Sequence, residues 1–133
     1  MKIILAATAF LSFIYLQDPD LRESMQRGQK IYDQICVTCH KPDGQGLLFL
    51  YPPLADSDFL LNKTEEAIKV VKNGIEGTLE VNGVIYNNMM PAQGLSDQEV
   101  ADVLNYVLRS WGNQSKTIIT TEQVEQVTSG IKP

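Results

Sequence analysis

Few of the residues that usually mark a catalytic or metal site are present in this chain. Its 133 residues hold two cysteines, one histidine and one tryptophan. A structural zinc site wants four ligands, and this inventory would need a carboxylate to complete one. No serine or carboxylate sits beside a free histidine, so hydrolytic chemistry has no support. Basic residues are scarce as well: 11 Lys and Arg stand against 16 Asp and Glu, for a net charge of −5 and a pI near 4.7. Such a surface argues against nucleic acid and against docking onto anionic lipid, and it suits partners that offer a basic or apolar patch. Long apolar runs are missing except at the N-terminus. There is neither an internal repeat nor a domain linker, so one domain is expected.

Met1-Lys2 followed by residues 3–16 makes a positive start and an apolar run of about fourteen residues. That fits the h-region of a signal peptide better than a membrane span, which wants about twenty. No small-x-small pair lies just before Gln17-Asp18, Ala7-Thr8-Ala9 comes early, and there is no lipobox cysteine. Residues 1–17 are therefore read as a signal peptide or a short N-terminal anchor. Residues 18–133 are read as the exported domain, periplasmic or otherwise extracytoplasmic.

What the chain does contain is Cys36-Val37-Thr38-Cys39-His40. C-x-x-C-H is the attachment sequence for c-type haem. In a helix, positions 36, 39 and 40 share one face. Two thiols on that face can each add to a vinyl group of one porphyrin, and the adjacent imidazole then stands under the iron. Zinc, a thioredoxin-like C-x-x-C and a plain disulfide are the rivals. Zinc lacks ligands, the flanking sequence reads as helix rather than βαβ, and a disulfide leaves His40 without a role. The expected cofactor is one covalent haem c. With one Trp, five Tyr and four Phe, a chain this small gains much from a porphyrin in its core.

Ahead of the motif, Leu21, Met25, Gly28, Tyr32 and Ile35 form an apolar stripe that predicts a helix over 20–35 with Asp20 as N-cap. Gly28 is unfavourable inside that helix unless another helix comes close. The turn formers of residues 41–46 end the motif helix. Residues 47–54, LLFLYPPL, read as an apolar loop pressed against the haem. Its prolines forbid a central strand, and the free carbonyl of Pro52 can accept Nδ1–H of His40. A helical turn is expected at 57–61, and a helix at 64–73 capped by Thr64 and ended by Gly74. Residues 74–88 read as loop with a brief hairpin around 80–86.

In Met89-Met90-Pro91, a thioether can be the soft sixth ligand that haem iron accepts opposite histidine. Pro91 holds its predecessor extended, which favours Met90 over Met89, although either can simply fill core space. Residues 96–99 make a capping box. The helix it opens has an apolar face of Val100, Val103, Leu104, Val107, Leu108 and Trp111, with Asp97, Glu99, Asp102, Asn105 and Arg109 expected on the solvent side. In the polar tail, residues 120–126 predict a short helix.

The order of these motifs resembles a class I c-type cytochrome: C-x-x-C-H near the mature N-terminus, then Pro52-Pro53-Leu54, then a Met-Pro loop before the C-terminal helix. Residues 90–97, running into 100–107, are particularly similar to that family. The tail Ser110-Trp111-Gly112-Asn113 is similar to mono-haem domains found alone, fused to copper nitrite reductases or joined to quinoprotein dehydrogenases. The resemblance covers a core of residues 20–113 and leaves 114–133 as a C-terminal extension. It implies an all-α, small cytochrome c fold, three to five helices wrapped around one covalently bound haem, with Cys36 and Cys39 as attachment points and His40 and Met90 as metal ligands. The N- and C-terminal helices should cross with Gly28 and Tyr32 against Val103 and Tyr106.

The function implied is one-electron transfer between redox partner proteins (oxidase, reductase or dehydrogenase) by a monomer that is not an enzyme. Tyr51, Pro52, Tyr86, Asn88 and Trp111 are candidate haem contacts. Val37, Gly44, Met89 and Ala92 are expected around an exposed edge of the ring. The chain departs from the basic members of the family that dock through a ring of lysines. The rival readings are a ligand-binding or sensor protein with an open or labile sixth site, and a small haem subunit held by an uncleaved N-terminus.

Overall fold

A computed structural model describes residues 18–130, so the segment read as a signal peptide or anchor lies outside the described residues. The first helix, α1, spans Pro19–Ile31 and is capped by Asp18 rather than Asp20. The Asp18 carboxylate accepts the N–H groups of Asp20 at 3.0 Å and Leu21 at 3.4 Å. Without a break, α1 passes into a π-helical turn, Tyr32–Cys36, and then into α2, Val37–His40. Lys41 ends the run by taking φ to +68°.

Two short helices follow. Ser57 caps α3, Asp58–Asn62, by accepting the N–H of Leu60 at 3.1 Å. In α4, Thr64–Asn73, the expected Thr64 cap is not made: Thr64 is the first residue inside, and Lys63 holds the cap position with no side-chain bond. Gly74, at φ +76°, ends α4 and begins β1.

The largest departure from expectation lies here. Strands β1 (Gly74–Val81) and β2 (Val84–Pro91) pair antiparallel along their whole length, from Gly74 opposite Pro91 to Val81 opposite Val84. Asn82 and Gly83 join them with φ of +52° and +76°, the two positive values that a type I′ turn requires. The fold is helical, as expected, with this hairpin added across one side.

Ser96 and Glu99 form the predicted reciprocal cap on α5, Asp97–Val107, with bonds of 3.2 and 2.8 Å. The helix stops short of Trp111, which sits in the following turns at φ +53°. The extension carries α6, Thr121–Ser129, which packs on α4 and α5 with Val124 fully buried. Among the described residues no helix is long and apolar enough to cross a membrane.

Helices α1 and α5 cross at Gly28. A Cβ there would run into the carbonyl oxygen of Asp102 and come within 3.0 Å of the Tyr106 Cβ, so only glycine allows this approach. The partner is thus the backbone of Asp102 and the side chain of Tyr106, with Val103 buried alongside. Below the crossing, the Tyr32 ring lies 5.6 Å from that of Tyr106 and 5.0 Å from that of Trp111. These contacts continue into a core that includes Ile68, Val100, Leu104 and Leu108.

Asp102 and Asn105, expected on the solvent side of α5, are each only 2% exposed. The Asp102 carboxylate accepts from Ser24 Oγ at 2.6 Å, Arg27 Nε at 2.7 Å, Arg27 Nη2 at 3.0 Å and Gln98 Nε2 at 2.9 Å. Burial alone would push its pKa up, but the hydrogen bonds from Arg27, Ser24 and Gln98 outweigh that and hold it below the ordinary carboxylate value. Asn105 donates to Ser24 Oγ at 3.0 Å and to the Ile119 carbonyl at 2.9 Å, and accepts the Ile119 N–H at 2.8 Å. The face that looks solvated in the sequence is covered by α1 on one side and by the returning extension on the other. Arg109 adds a second clasp to that extension, donating to the Thr117 carbonyl at 2.6 Å.

Candidate functional site

Between the end of the motif helix, the hairpin and the inner faces of α4 and α5 lies an apolar cavity of about 380 Å³. Cys36, Cys39 and His40 line it from one wall, presented together because the π-turn and α2 place positions 36, 39 and 40 on the cavity side. His40 is 8% exposed, and its Nδ1 lies 3.0 Å from the carbonyl oxygen of Pro52. Burial pushes the imidazole below its usual pKa, and the hydrogen bond to Pro52 offsets only part of that. His40 is therefore neutral near pH 7. With Nδ1–H donated to Pro52, Nε2 keeps a free lone pair.

Cys36 and Cys39 are free, half-buried thiols. Burial, with a smaller contribution from Cys39, pushes the Cys36 thiol up to about 11. A protonated thiol in an apolar wall is unlike the exposed, low-pKa thiolate of a redox C-x-x-C. Among the described residues no three His, Cys, Asp or Glu side chains gather as ligands for a bare ion.

The facing wall comes from the hairpin. Its register sets Ile75, Gly77 and Leu79 opposite Met90, Asn88 and Tyr86, and the period-two alternation of a strand puts all six on one face. That face lines the cavity. Met90 is therefore inward by strand alternation, while Met89 points the other way, is 60% exposed and reaches only the cavity rim. Gln93 steadies the loop that follows by donating to the Pro91 carbonyl at 2.7 Å.

Tyr51, Pro52, Tyr86 and Asn88 all line the cavity. Asn88 also donates to the Leu50 carbonyl at 3.3 Å, tying the apolar loop to β2. Trp111 does not join them. Its indole N–H is donated to the Pro42 carbonyl at 2.8 Å, and its ring lies where a Cβ on Gly44 would be. Gly44, expected at an open edge, is buried for the same reason. Val37 is half-buried and Ala92 exposed, and neither lines the cavity. The loop expected to press on the haem is divided: residues 50–54 line the cavity, whereas Leu47, Leu48 and Phe49 face outward and are exposed. Ile75, Leu79 and Gln93 are lining residues that sequence reasoning missed. For the first two the signal was present, in the alternation with Glu76, Thr78 and Glu80 ahead of Asn82-Gly83.

Two thiols, one imidazole nitrogen and one thioether in an apolar cavity suit a hydrophobic group that is held through sulfur and carries a metal accepting nitrogen and sulfur ligands. Comparison with known proteins points to the same chemistry. The sequence model of the family described as Cytochrome c matches residues 25–111. Cytochrome c-552 of Thermus thermophilus is 37% identical over 109 residues, covering 75% of this chain and 82% of the relative. The gluconate 2-dehydrogenase cytochrome c subunit of Pantoea cypripedii is 34% identical over 122 residues, 84% of this chain and 27% of that subunit. The cytochrome c subunit of the quinone alcohol dehydrogenase of Gluconacetobacter polyoxogenes is 30% identical over 104 residues, 75% of this chain and 22% of that subunit. Both dehydrogenase subunits are thus far longer than the part that matches.

Proposed function

The chain belongs to the cytochrome c family, as an electron carrier with covalently bound haem c, and from that premise we propose which residues hold the group and whom it serves. Cys36 and Cys39 would carry the two thioether links, and Nε2 of His40 and the sulfur of Met90 would hold the iron. When bound, the haem supplies a reversible one-electron ferric/ferrous couple. The residues of the chain keep that couple in place. His40 holds its orientation because Nδ1–H is committed to Pro52. Met90 is fixed by the ladder pairing of β2 with β1 and by the Gln93 brace behind it. The apolar wall excludes water, and a thioether ligand in such surroundings favours the reduced state.

The observation that carries this reading is that Cys36, Cys39 and His40 from one helix and Met90 from the hairpin line a single apolar cavity. Two relatives are named as cytochrome c subunits of dehydrogenases, which supports a dehydrogenase as electron donor and a second redox protein as acceptor. The positive start and apolar run at residues 1–16 support work outside the cytoplasm, free after cleavage or held by an uncleaved anchor.

The test is spectroscopic. Met90→Ala loses the far-red sulfur-to-iron band of the ferric protein and takes up carbon monoxide readily when reduced. Wild type and Met89→Ala keep the band and resist the gas. Ready uptake by wild type would establish the open-site reading instead.

A further inference from the structure

We propose that residues 47–50 are a preformed apolar docking element that seats in an apolar, uncharged recess of a redox partner protein, beside the mouth of the haem cavity. The proposal rests on the carrier reading above and names the chemistry of the partner's surface. The element is a closed turn. Leu47 N–H donates to the Tyr51 carbonyl at 2.8 Å, and the Leu47 carbonyl accepts the N–H groups of Leu50 at 2.9 Å and Tyr51 at 2.8 Å. Asn88 pins it to β2 through the Leu50 carbonyl. A turn so fixed has little conformational freedom left to lose on binding.

At its apex stand Leu48, 60% exposed, and Phe49, 67% exposed, neither of which lines the cavity. Phe49 also holds φ at +66°, where glycine or asparagine is at home and a bulky side chain is strained. Phe49 is thus strained in its backbone while, among the described residues, its ring stays mostly exposed. Docking against an apolar surface covers that ring.

The surroundings define what that surface must be. Leu50 and Met89 flank the cavity mouth, so the tip is continuous with it. The chain has 11 Lys and Arg and 16 Asp and Glu, yet none falls within residues 44–55 or 81–96, and the carboxylate beside them is Glu76 of β1, the cross-strand partner of Met89. A ring of charges on a partner would meet that carboxylate at the edge and would otherwise lose its hydration on contact. An anionic bilayer would find no basic residue in either segment. An apolar recess loses nothing, and steering by distant charge sets the approach without setting the fit.

The experiment uses holoprotein on gold electrodes bearing methyl-, amine- or carboxylate-terminated alkanethiol monolayers, comparing wild type with the double variant Leu48→Ser, Phe49→Asn. Asparagine accepts the left-handed backbone, so the turn keeps its shape. Wild type should adsorb on the methyl surface, with coverage and electron-transfer rate unchanged as salt rises from about 0.01 to about 1 M, a range that shortens the screening length roughly tenfold. The double variant should lose coverage at least about tenfold with its reduction potential unmoved. Ile118→Ser, which alters an exposed apolar residue outside both segments, should leave coverage intact. Equal adsorption by the double variant, or a salt-sensitive preference for the amine surface, would overturn the proposal. So would binding to phosphatidylcholine vesicles, or dimerisation of the free protein, that the variant abolishes, since the occupant would then be a bilayer or a second copy. In each of those outcomes a reversible one-electron wave would leave the carrier reading standing. Absence of that wave in wild type on every surface would remove the carrier reading itself.

Discussion

Replacing Asp102 with asparagine tests the buried polar seam that joins the first helix, the last core helix and the extension. The substitution keeps the shape of the side chain but turns an –NH₂ toward donors. Four hydrogen bonds converge on the carboxylate, from Ser24, Gln98 and both edges of the Arg27 fork. Three of them end on Oδ1 and one, from Arg27 Nε, on Oδ2, so an amide oxygen at the Oδ1 position keeps three and one charge-assisted bond is lost, at about 1.5–3 kcal/mol. Arg27 is 49% exposed along its side chain and recovers water, which limits the penalty well below that of a sealed ion pair. The expected destabilisation is about 1.5–3 kcal/mol at pH 7, or roughly 10 °C in Tm.

The pH dependence carries a sign. The folded-state pKa of Asp102 lies below the ordinary 3.8, so its stabilisation is complete above that value and is lost as pH falls through the folded-state pKa. The gap between wild type and Asp102→Asn should therefore be constant from neutral pH down to about 5 and close below about 4. Urea unfolding followed by far-UV circular dichroism across that range measures it without adding salt. Neither Asp102 nor its partners line the cavity, so the visible spectrum should not change. A penalty under about 1 kcal/mol at pH 7, or a gap that persists unchanged to pH 3, would refute the account.

Gly28→Ala should destabilise the protein by more than about 2 kcal/mol in the same urea assay, because the new methyl meets the Asp102 backbone and the two helices must part. Equal or greater stability would mean that the crossing yields easily and that ordinary helix propensity, worth about 1 kcal/mol for this exchange, decides the outcome. Asn105→Ala removes both bonds to Ile119 and one to Ser24, so the extension should open locally. Tryptic cleavage at Lys116 should then rise at least about tenfold, and an unchanged rate would show that Arg109 and α6 hold the extension unaided.

What could be read from the chain beforehand was whatever is written in neighbouring residues. The grouping of Cys36, Cys39 and His40, the reciprocal cap of Ser96 and Glu99, and the partnership of His40 with the Pro52 carbonyl all follow from spacing and from what proline cannot do. Gly28 was legible as a point of close approach, although the structure had to identify the backbone of Asp102 as what it meets. The hairpin was under-read because Gly77 and the paired asparagines 87 and 88 resemble loop, while the alternation from Ile75 to Val81 and the Asn82-Gly83 turn went unweighted. Asp102 and Asn105 were misplaced for a different reason. A polar face on an amphipathic helix reads as solvated, and only the return of a segment fourteen residues downstream of Asn105 makes it an interior. Trp111 lies off the cavity wall, because the turn after α5 carries its ring over Gly44. These contacts are all made at a distance along the chain, where periodicity carries no information.

The π-turn at Tyr32–Cys36 sets the bearing of everything that follows it. Each residue of an α-helix advances the azimuth by about 100°. The wide turn, closed by the Val37 N–H on the Tyr32 carbonyl, therefore resets the phase between the two halves of one continuous rod. Upstream, the rod presents Gly28 to α5; downstream, it presents two sulfurs and an imidazole to the cavity. Removing a single residue between Gly28 and His40 would leave each half well formed and swing the imidazole more than a quarter-turn away from its carbonyl partner. The stretch from Gly28 to His40 thus acts as a fixed-length indexing shaft.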